Sequence, residues 1–311
     1  AKKEIKRIIG QWINGKMTGY CLGFEGPPGI GKTSLAKKGI AKCLIDENGN
    51  SRPFSFIALG GSSNGSLLEG HNYTYVGSNY GKIIDILIQT KCMNPIIYID
   101  ELDKISNTEN GKEIIGILTH LTDFTQNEQF SDKYFSGIEF DLSKVLFIFS
   151  YNDYNKLDPI LADRIHRIKF NYLQKHEKIY IMNNYIIPEL LNNIGYSKEN
   201  IIFSDDVISY IIDNYTYEAG VRKLKEKIFE IIREINLDGI MTNSNNTKII
   251  INLDYVKHLF ANKPQVSQKK INDENLVGVV NGLYATSLGI GGIITIQVTK
   301  SFNDKKLEFT I

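Results

Sequence analysis

The chain has 311 residues, with 36 basic and 35 acidic side chains and a formal net charge of +1. Its length and its 42% content of hydrophobic residues predict at least two domains that each bury a core. The near-neutral charge excludes a chain-wide attraction to nucleic acid or to an anionic membrane.

Residues 1–16 carry apolar side chains at helical spacing, which predicts an amino-terminal helix. From residue 20 to about 170, short apolar runs alternate with helix-periodic segments. The strand-like runs are 20–24, 54–59, 95–99, 145–150 and, more weakly, 165–170; the helix-like segments are 32–45, 79–92 and 111–124. This alternation predicts an α/β domain over 1–170, in which helices cover a parallel sheet.

After Phe170 the strand-like runs stop, and helical periodicity takes over in 174–192, 204–214 and 219–237. We therefore expect a small all-α domain over 171–262. Residues 263–275 begin with a polar stretch without apolar period, which indicates a linker. Within 276–311, alternating runs at 293–299 and 307–311 are typical of half-buried strands. We expect them to begin a third domain that this chain contains only in part.

A complete phosphate-binding motif, G-x-x-x-x-G-K-[ST], occupies residues 26–33. It follows an apolar run and begins a helix-periodic stretch, which disfavours the alternative of a glycine-rich turn without a ligand. Backbone N–H groups of such a loop point at phosphate, Lys32 reaches the β- and γ-phosphates, and the Thr33 hydroxyl binds Mg²⁺. The predicted nucleotide-binding residues here are Gly26, Pro27, Pro28, Gly29, Ile30, Gly31, Lys32, Thr33 and Ser34.

A second motif, Pro95-Ile-Ile-Tyr-Ile-Asp100-Glu101, is typical of a buried parallel strand that ends in two carboxylates. Alone it is as consistent with an ordinary acidic strand end as with a site. Downstream of Lys32, it predicts that Asp100 binds the metal and that Glu101 activates the attacking water. The pair of motifs indicates an ATP-hydrolysing site with ATP and Mg²⁺ as cofactors.

The phosphate loop, the Asp-Glu strand and the helical domain together resemble the AAA+ ATPases, and finer matches resemble the ATPase module of the Lon proteases. The most specific strings are Thr74-Tyr-Val-Gly77, Asp100-Glu-Leu-Asp-Lys104 and Glu218-Ala-Gly-Val-Arg222. Gly278-Val-Val-Asn-Gly-Leu-Tyr284 resembles the opening of the Lon protease domain. The resemblance covers essentially the whole chain. It implies the ATP-driven unfoldase and translocase module of an ATP-dependent serine protease that acts in protein degradation and quality control.

The resemblance also implies roles for single residues. Asn152 corresponds to the sensor-1 residue beside the γ-phosphate, although a turn-forming Asn is the plain alternative. Arg164 corresponds to an arginine finger that enters the neighbouring subunit's site, with Arg167 as the second candidate and a surface salt bridge as the alternative. Arg222 corresponds to the sensor-2 arginine at the start of the last lid helix, where the alternative is a solvated arginine.

Tyr75 and Val76 correspond to the pore loop that grips unfolded polypeptide, and local packing is the alternative for this pair. A finger used in trans implies a ring of identical subunits, expected to be a hexamer. The expected partners are therefore unfolded or misfolded proteins and further copies of the chain, with neither nucleic acid nor a membrane.

The sequence also departs from the family. Ser62-Ser-Asn-Gly-Ser66 replaces an acidic and basic run, and Asn72 and Tyr73 stand where the family has two arginines. No Ser-Ala-Gly string occurs, and the family's Ser-Lys dyad lies beyond Ile311, so we expect no peptidase activity from this chain alone. Two alternatives stay open: a remodelling AAA+ ATPase without an active protease, and a nucleotide-gated assembly or DNA-binding module. The latter lacks a visible basic recognition element.

Three cysteines, Cys21, Cys43 and Cys92, are scattered without C-x-x-C spacing, which favours a reducing compartment over a disulfide framework or a zinc site. No run approaches eighteen apolar residues, and the amino end has no apolar signal core. We therefore expect a soluble, cytoplasmic chain, with the matrix of an organelle as the alternative location.

Overall fold

The computed structural model describes residues 2–14, 21–45, 49–61, 64–197, 200–242, 249–266, 276–286 and 291–298. The chain divides into two compact units, with the boundary between Asn171 and Tyr172. The strand predicted at 307–311 and most of the predicted linker over 263–275 lie outside the described residues.

Five strands form the sheet of the first unit. They are β1 (Cys21–Glu25), β2 (Phe54–Ala58), β3 (Ile96–Asp100), β6 (Leu146–Tyr151) and β7 (His166–Lys169); the short β4 (Phe130–Ser131) and β5 (Glu139–Phe140) pair separately. The sheet order is β2-β3-β6-β1-β7, and every neighbouring pair is parallel. The prediction of an α/β fold with a parallel sheet is confirmed. The carboxyl ends of β1, β3 and β6 consequently meet at one edge of the sheet.

The central strands β1, β3 and β6 are covered on both faces, which explains why they are apolar along most of their length and do not alternate. Along β3, Ile97 and Ile99 pack on one face, while Ile96 and Tyr98 pack on the other. All four side chains have no exposed surface.

The helices of the first unit are α1 (Lys2–Asn14), α2 (Lys32–Ser34), α3 (Ala41–Cys43), α4 (Ser66–Glu69), α5 (Lys82–Thr90), α6 (Glu109–Thr122) and α7 (Pro159–Arg164). The helix predicted from Lys32 is not regular: α2 and α3 are joined by a π-helical turn over Leu35–Ile40. The start of α6 is fixed by Thr108, whose hydroxyl accepts from the Gly111 N–H. Short 3₁₀ turns occupy Leu102–Lys104, Asn127–Gln129 and Tyr154–Lys156.

The second unit contains the helices α8 (Lys175–Ile181), α9 (Ile187–Ile194), α10 (Asp205–Tyr215), α11 (Arg222–Thr242) and α12 (Leu253–Leu259), with a π-helical turn over Met182–Ile186. One further strand pair corrects the expectation that strands stop after Phe170. β8 (Ile201–Phe203) pairs in parallel with β9 (Ile249–Ile251) beside the helical core. Each strand has only three residues, which is too short for a period to show in the sequence.

Beyond these helices, β10 (Val279–Ala285) and β11 (Gly291–Gln297) form an antiparallel pair. The pair agrees with the strand expected from residue 293. Among the helices that the structure describes, none is both long enough and apolar enough to cross a membrane.

Candidate nucleotide-binding site

The loop after β1 requires glycine at several positions. Gly26, Gly29 and Gly31 have φ angles of 153°, 77° and 92°, which L side chains rarely adopt. A Cβ at Gly26 would lie 2.7 Å from the carbonyl oxygen of Phe170, so a side chain is excluded there by space as well. At Gly31 the space is open, because a Cβ would meet no atom within 4 Å. The backbone of the loop is therefore curled, with open space beside Gly31 in front of a helix start. Phosphate binds at such a position.

Lys32 begins α2 and is buried, with only 9% of its surface exposed. Its Nζ donates to the carbonyl oxygens of Gly26 at 2.5 Å and Tyr151 at 3.2 Å, and to Oδ1 of Asn152 at 3.2 Å. These acceptors are neutral dipoles. The structure thus brings together the predicted phosphate lysine and the predicted sensor Asn152. The hydrogen-bond partners of the lysine carry no full charge.

The electrostatics of Lys32 follow from this setting. Burial lowers the pKa of its ammonium group, and the nearby carboxylates Asp100, Asp103 and Glu25 oppose that effect. A phosphate chain would add negative charge directly beside the amine and would favour its charged form further. The curled loop, the buried lysine and the open space beside Gly31 therefore fit a polyphosphate.

The two carboxylates at the end of β3 have different surroundings. Asp100 is the last residue of the strand, and its Oδ1 accepts the Glu101 N–H at 3.0 Å. Glu101 has a φ of 62°, a left-handed conformation that costs a residue with a side chain about 1–3 kcal/mol. Such strain persists where the surroundings enforce it, and it concentrates at functional sites.

The Glu101 side chain is held on two sides. One carboxylate oxygen pairs with the ammonium group of Lys104, one 3₁₀ turn further along. A Cβ at Gly60 would lie only 1.6 Å from the other oxygen, so that glycine makes room for the carboxylate. Gly60 lies just after β2, and the sequence analysis did not predict a role for it.

The described residues contain no cluster of three His, Cys, Asp or Glu side chains that would hold a metal alone. Mg²⁺ keeps waters and phosphate oxygens and takes only one or two protein ligands at nucleotide sites. The predicted ligands are Thr33 at the start of α2 and Asp100 at the end of β3. The Thr33 hydroxyl donates to the hydroxyl of Tyr98, two residues before Asp100, at 3.2 Å.

Asp103 is a further acidic residue at this edge that the sequence analysis did not assign. Its Oδ2 accepts the backbone N–H of Asn152 at 3.1 Å and so fixes the residue that contacts Lys32. Its Oδ1 is buried without a hydrogen-bond partner among the described residues. The signal in the sequence was the spacing within Asp100-Glu-Leu-Asp103, which a 3₁₀ turn over Leu102–Lys104 directs back towards β6.

The two candidate finger arginines are both bound within their own chain. Arg164, the last residue of α7, donates through Nη1 to Oδ2 of Asp123 at 2.7 Å and to the Thr119 carbonyl at 2.9 Å. Arg167 pairs with both oxygens of Glu25 and lies over the Tyr154 ring, 4.3 Å from its centroid. The finger role of either arginine stays a prediction.

The loop that carries Tyr75 and Val76 projects into solvent. The exposed fractions of these side chains are 69% for Tyr75 and 107% for Val76. The His71 N–H donates to the Asn79 carbonyl at 3.0 Å, so the two ends of the loop are held together. Exposure of this kind argues against the alternative that the two side chains serve local packing.

A buried carboxylate fixes the base of this loop, which sequence reasoning missed. Asp132 has no exposed surface; its Oδ2 accepts the Gly81 N–H at 2.8 Å, and its Oδ1 accepts the Tyr134 N–H at 2.8 Å. Gly81 lies 51 residues before Asp132. No local pattern reveals such a bond.

The predicted sensor-2 residue belongs to the second unit. Arg222 is the first residue of α11; its side chain is 77% exposed, and its Nε lies 3.9 Å from a carboxylate oxygen of Glu226. An exposed pair at this distance contributes little to stability. Its role in nucleotide sensing stays a prediction.

Comparisons with known proteins agree with this geometry. Residues 22–173 match the ATPase family associated with various cellular activities (AAA), and residues 192–248 match the Lon protease AAA+ ATPase lid domain. The first match covers the strands and loops that form the site, and the second covers most of the helical core of the second unit. The chain therefore carries an AAA ATPase domain followed by a Lon-type lid.

Curated relatives show the same relationship along nearly the whole chain. A Lon protease homolog of Acanthamoeba polyphaga mimivirus is 37% identical over 97% of this chain and 34% of its own length. The Lon protease of Dictyoglomus thermophilum is 39% identical over 92% of this chain and 34% of its own length. The mitochondrial Lon protease homolog 1 of Dictyostelium discoideum is 37% identical over 98% of this chain and 31% of its own length. The chain spans about a third of the length of these relatives.

Proposed function

We propose, on the premise that this chain belongs to the Lon protease family by its AAA ATPase domain and Lon-type lid, that it uses ATP hydrolysis to move unfolded polypeptide. The observation that carries the proposal is the meeting of three elements at one sheet edge. The glycine loop with buried Lys32 follows β1, the strained Glu101 follows β3, and Asn152 follows β6. A phosphate cradle, a carboxylate base and a polar sensor are the parts that phosphoryl transfer needs.

The residues of the site would divide the work as follows. Residues 26–34 hold the phosphates through backbone N–H groups, and Lys32 exchanges its carbonyl partners for phosphate oxygens. Thr33 and Asp100 would hold Mg²⁺, which supplies charge neutralisation on the transferred group. Glu101 accepts a proton from the attacking water, and Asn152 orients that water beside the γ-phosphate.

The ion pair between Lys104 and Glu101 bears on the order of these steps. The Glu101 oxygen that pairs with the Lys104 ammonium group is occupied while the pair is intact, so it cannot accept from a water molecule. We infer that Glu101 activates water only after this pair is rearranged. The side chain of Lys104 is 54% exposed, so it can leave into solvent without an unpaired charge becoming buried.

We further propose that the chain works in a ring of identical subunits, a hexamer by analogy with the family. Arg164 would reach the neighbouring site and offset charge in the transition state, with Arg167 as the second candidate. Either arginine must first exchange a carboxylate of its own chain for phosphate. Because Arg164 is partly exposed, at 32%, a neighbouring subunit can approach it.

Tyr75 and Val76 are the proposed contacts to the polypeptide. Their loop is exposed at its tip and fixed at its base, so it transmits a movement of the domain to a bound chain. An aromatic ring holds an extended polypeptide through van der Waals contact without reading its sequence, as a translocator of varied substrates requires. The proposed substrates are unfolded or misfolded proteins, and the proposed process is their degradation in protein quality control.

The proposed location is the cytoplasm, or the matrix of an organelle. It is supported by three free cysteines, which are typical of a reducing compartment. From the names of the relatives, we further propose that this chain is one part of a longer protein that cleaves its substrates.

The test is nucleotide binding and hydrolysis by the chain and two variants. Lys32→Ala is expected to lose nucleotide binding, because it removes the buried ammonium group that donates to the Gly26 carbonyl of the loop. Glu101→Gln is expected to bind ATP but to hydrolyse it about 10²–10⁴-fold more slowly. Glu128→Gln, an exposed carboxylate of the same unit, is the matched control. Parental hydrolysis by Glu101→Gln would refute the assignment of the base.

A further inference from the structure

A buried tyrosine hydroxyl contacts the phosphate-binding loop. Tyr98 of β3 is fully buried, and its ring is stacked with that of Phe56 at a centroid distance of 5.8 Å. Phenylalanine would fill this position in the sheet equally well, so packing does not explain the hydroxyl. Its partners do: the hydroxyl accepts from Oγ1 of Thr33 at 3.2 Å and also hydrogen-bonds the side chain of Ser150 on the neighbouring strand.

The direction of the Thr33 bond matters for its chemistry. A hydroxyl that binds a cation does so through an oxygen lone pair, and its proton must be donated to another acceptor. The bond from Thr33 to Tyr98 places that proton on the side of the sheet. The lone pairs of Thr33 are then directed away from its proton, towards the loop side.

We propose that Tyr98 is a positioning residue for the metal site, which takes the Thr33 proton so that the Thr33 oxygen faces Mg²⁺. This inference rests on the proposed ATP–Mg²⁺ function. It gives β3 two tasks at one site, because the strand presents the ligand Asp100 and, two residues earlier, the group that orients the ligand Thr33. Residues two apart on a strand point to the same face, which makes this arrangement geometrically consistent.

The experiment measures nucleotide affinity as a function of free Mg²⁺, with EDTA as the metal-free reference. The probe is N-methylanthraniloyl-ADP, whose fluorescence is followed with the full chain. The variants are Tyr98→Phe, Thr33→Val and the double variant. Tyr215→Phe is the matched control, since it removes the hydroxyl of another buried tyrosine, which accepts from Nε2 of Gln265 within the second unit.

Tyr98→Phe is expected to raise the half-saturating Mg²⁺ concentration about two- to ten-fold, as the loss of one hydrogen bond predicts. Metal-free affinity should stay close to parental, because the ring is retained, while the thermal unfolding midpoint should fall by a few degrees because the buried Ser150 loses this partner. In the Thr33→Val background the same change should add nothing, since Tyr98 acts through Thr33. Tyr215→Phe should keep the parental metal dependence.

Two outcomes would overturn the inference. An unchanged Mg²⁺ dependence in Tyr98→Phe would show that the hydroxyl does not orient the ligand. An equal loss of affinity with and without Mg²⁺ would show a merely structural role. Failure of the parent to bind nucleotide in the presence of Mg²⁺ is a different result, because it would refute the proposed function itself.

Discussion

Replacing Asp132 by alanine tests whether one buried carboxylate holds the base of the exposed Tyr75–Val76 loop. The substitution leaves two N–H donors, those of Gly81 and Tyr134, without their acceptor. An unsatisfied buried donor costs about 1–3 kcal/mol, and the site of Gly81 is fully buried. The Tyr134 site is only partly buried, so water compensates some of its loss. We therefore expect a decrease in the free energy of unfolding of roughly 3 kcal/mol.

The decrease should appear as a lower unfolding midpoint. For a unit of about 170 residues, each kcal/mol shifts the midpoint by roughly 2–4 °C, which gives roughly 6–12 °C for Asp132→Ala. Asp132→Asn keeps one carbonyl acceptor and should lie between the parent and the alanine variant. Thermal unfolding followed by circular dichroism measures both.

Asp141→Ala provides a matched control. Asp141 accepts the N–H of Ser143, two residues further on, at 2.8 Å, and Asp132 makes the same local bond to Tyr134. Asp141 is exposed, and its bond to Ser143 is local, so its loss should cost only about 0.5–1 kcal/mol. If Asp132→Ala were no more destabilising than Asp141→Ala, the long-range bond would contribute nothing and the reasoning would be wrong.

Three other predictions follow from the described contacts. Tyr75→Ala should weaken binding of an unfolded polypeptide, measured by fluorescence anisotropy, while Tyr75→Phe should preserve it; equal affinities for all three proteins would contradict the proposed role. Burial raises the pKa of the Cys21 thiol to about 12, so the thiol stays protonated in the native state at pH 8. Iodoacetamide at pH 8 should therefore label the exposed Cys43 but not Cys21, which peptide mass spectrometry can measure. Arg164→Ala should retain ATP affinity but lose hydrolysis in the assembled ring, and normal hydrolysis there would shift the finger role to Arg167 or elsewhere.

The centre of the sheet was predictable because its strands are buried on both faces. Runs such as 95–99 and 145–150 then read as continuous apolar segments, and the residue that follows each run lies at the functional edge. The glycine positions in the phosphate loop were equally predictable, since residues with a side chain rarely adopt the positive φ angles that the loop has there. Short or irregular elements were not: the strands β8 and β9 have three residues each, and the π-helical turn over Leu35–Ile40 keeps an apolar pattern close to that of an α-helix.

Contacts between residues far apart in the sequence could not be predicted, for a different reason. The acceptor role of Asp132 depends on Gly81, and that of Tyr98 depends on Thr33, 65 residues away. A sequence motif specifies residue types at fixed spacing along the chain, and neither pair lies within one motif. Tyr98 and Asp132 look in the sequence like a strand residue and a turn residue, and only the fold joins them to the candidate site and to the exposed loop.

The arginines illustrate what a motif match implies and what it omits. A match in the sequence assigns Arg164 a task in a neighbouring subunit, yet in the described chain its guanidinium group binds Asp123 and the Thr119 carbonyl. These two descriptions are compatible only if the ion pair to Asp123 is exchanged for phosphate when a neighbour arrives. Such an exchange favours phosphate, because it offers a bidentate guanidinium more negative charge than one carboxylate does. Asp123 would then hold the arginine in a defined direction until assembly, so that the finger forms only where a neighbouring nucleotide competes for it.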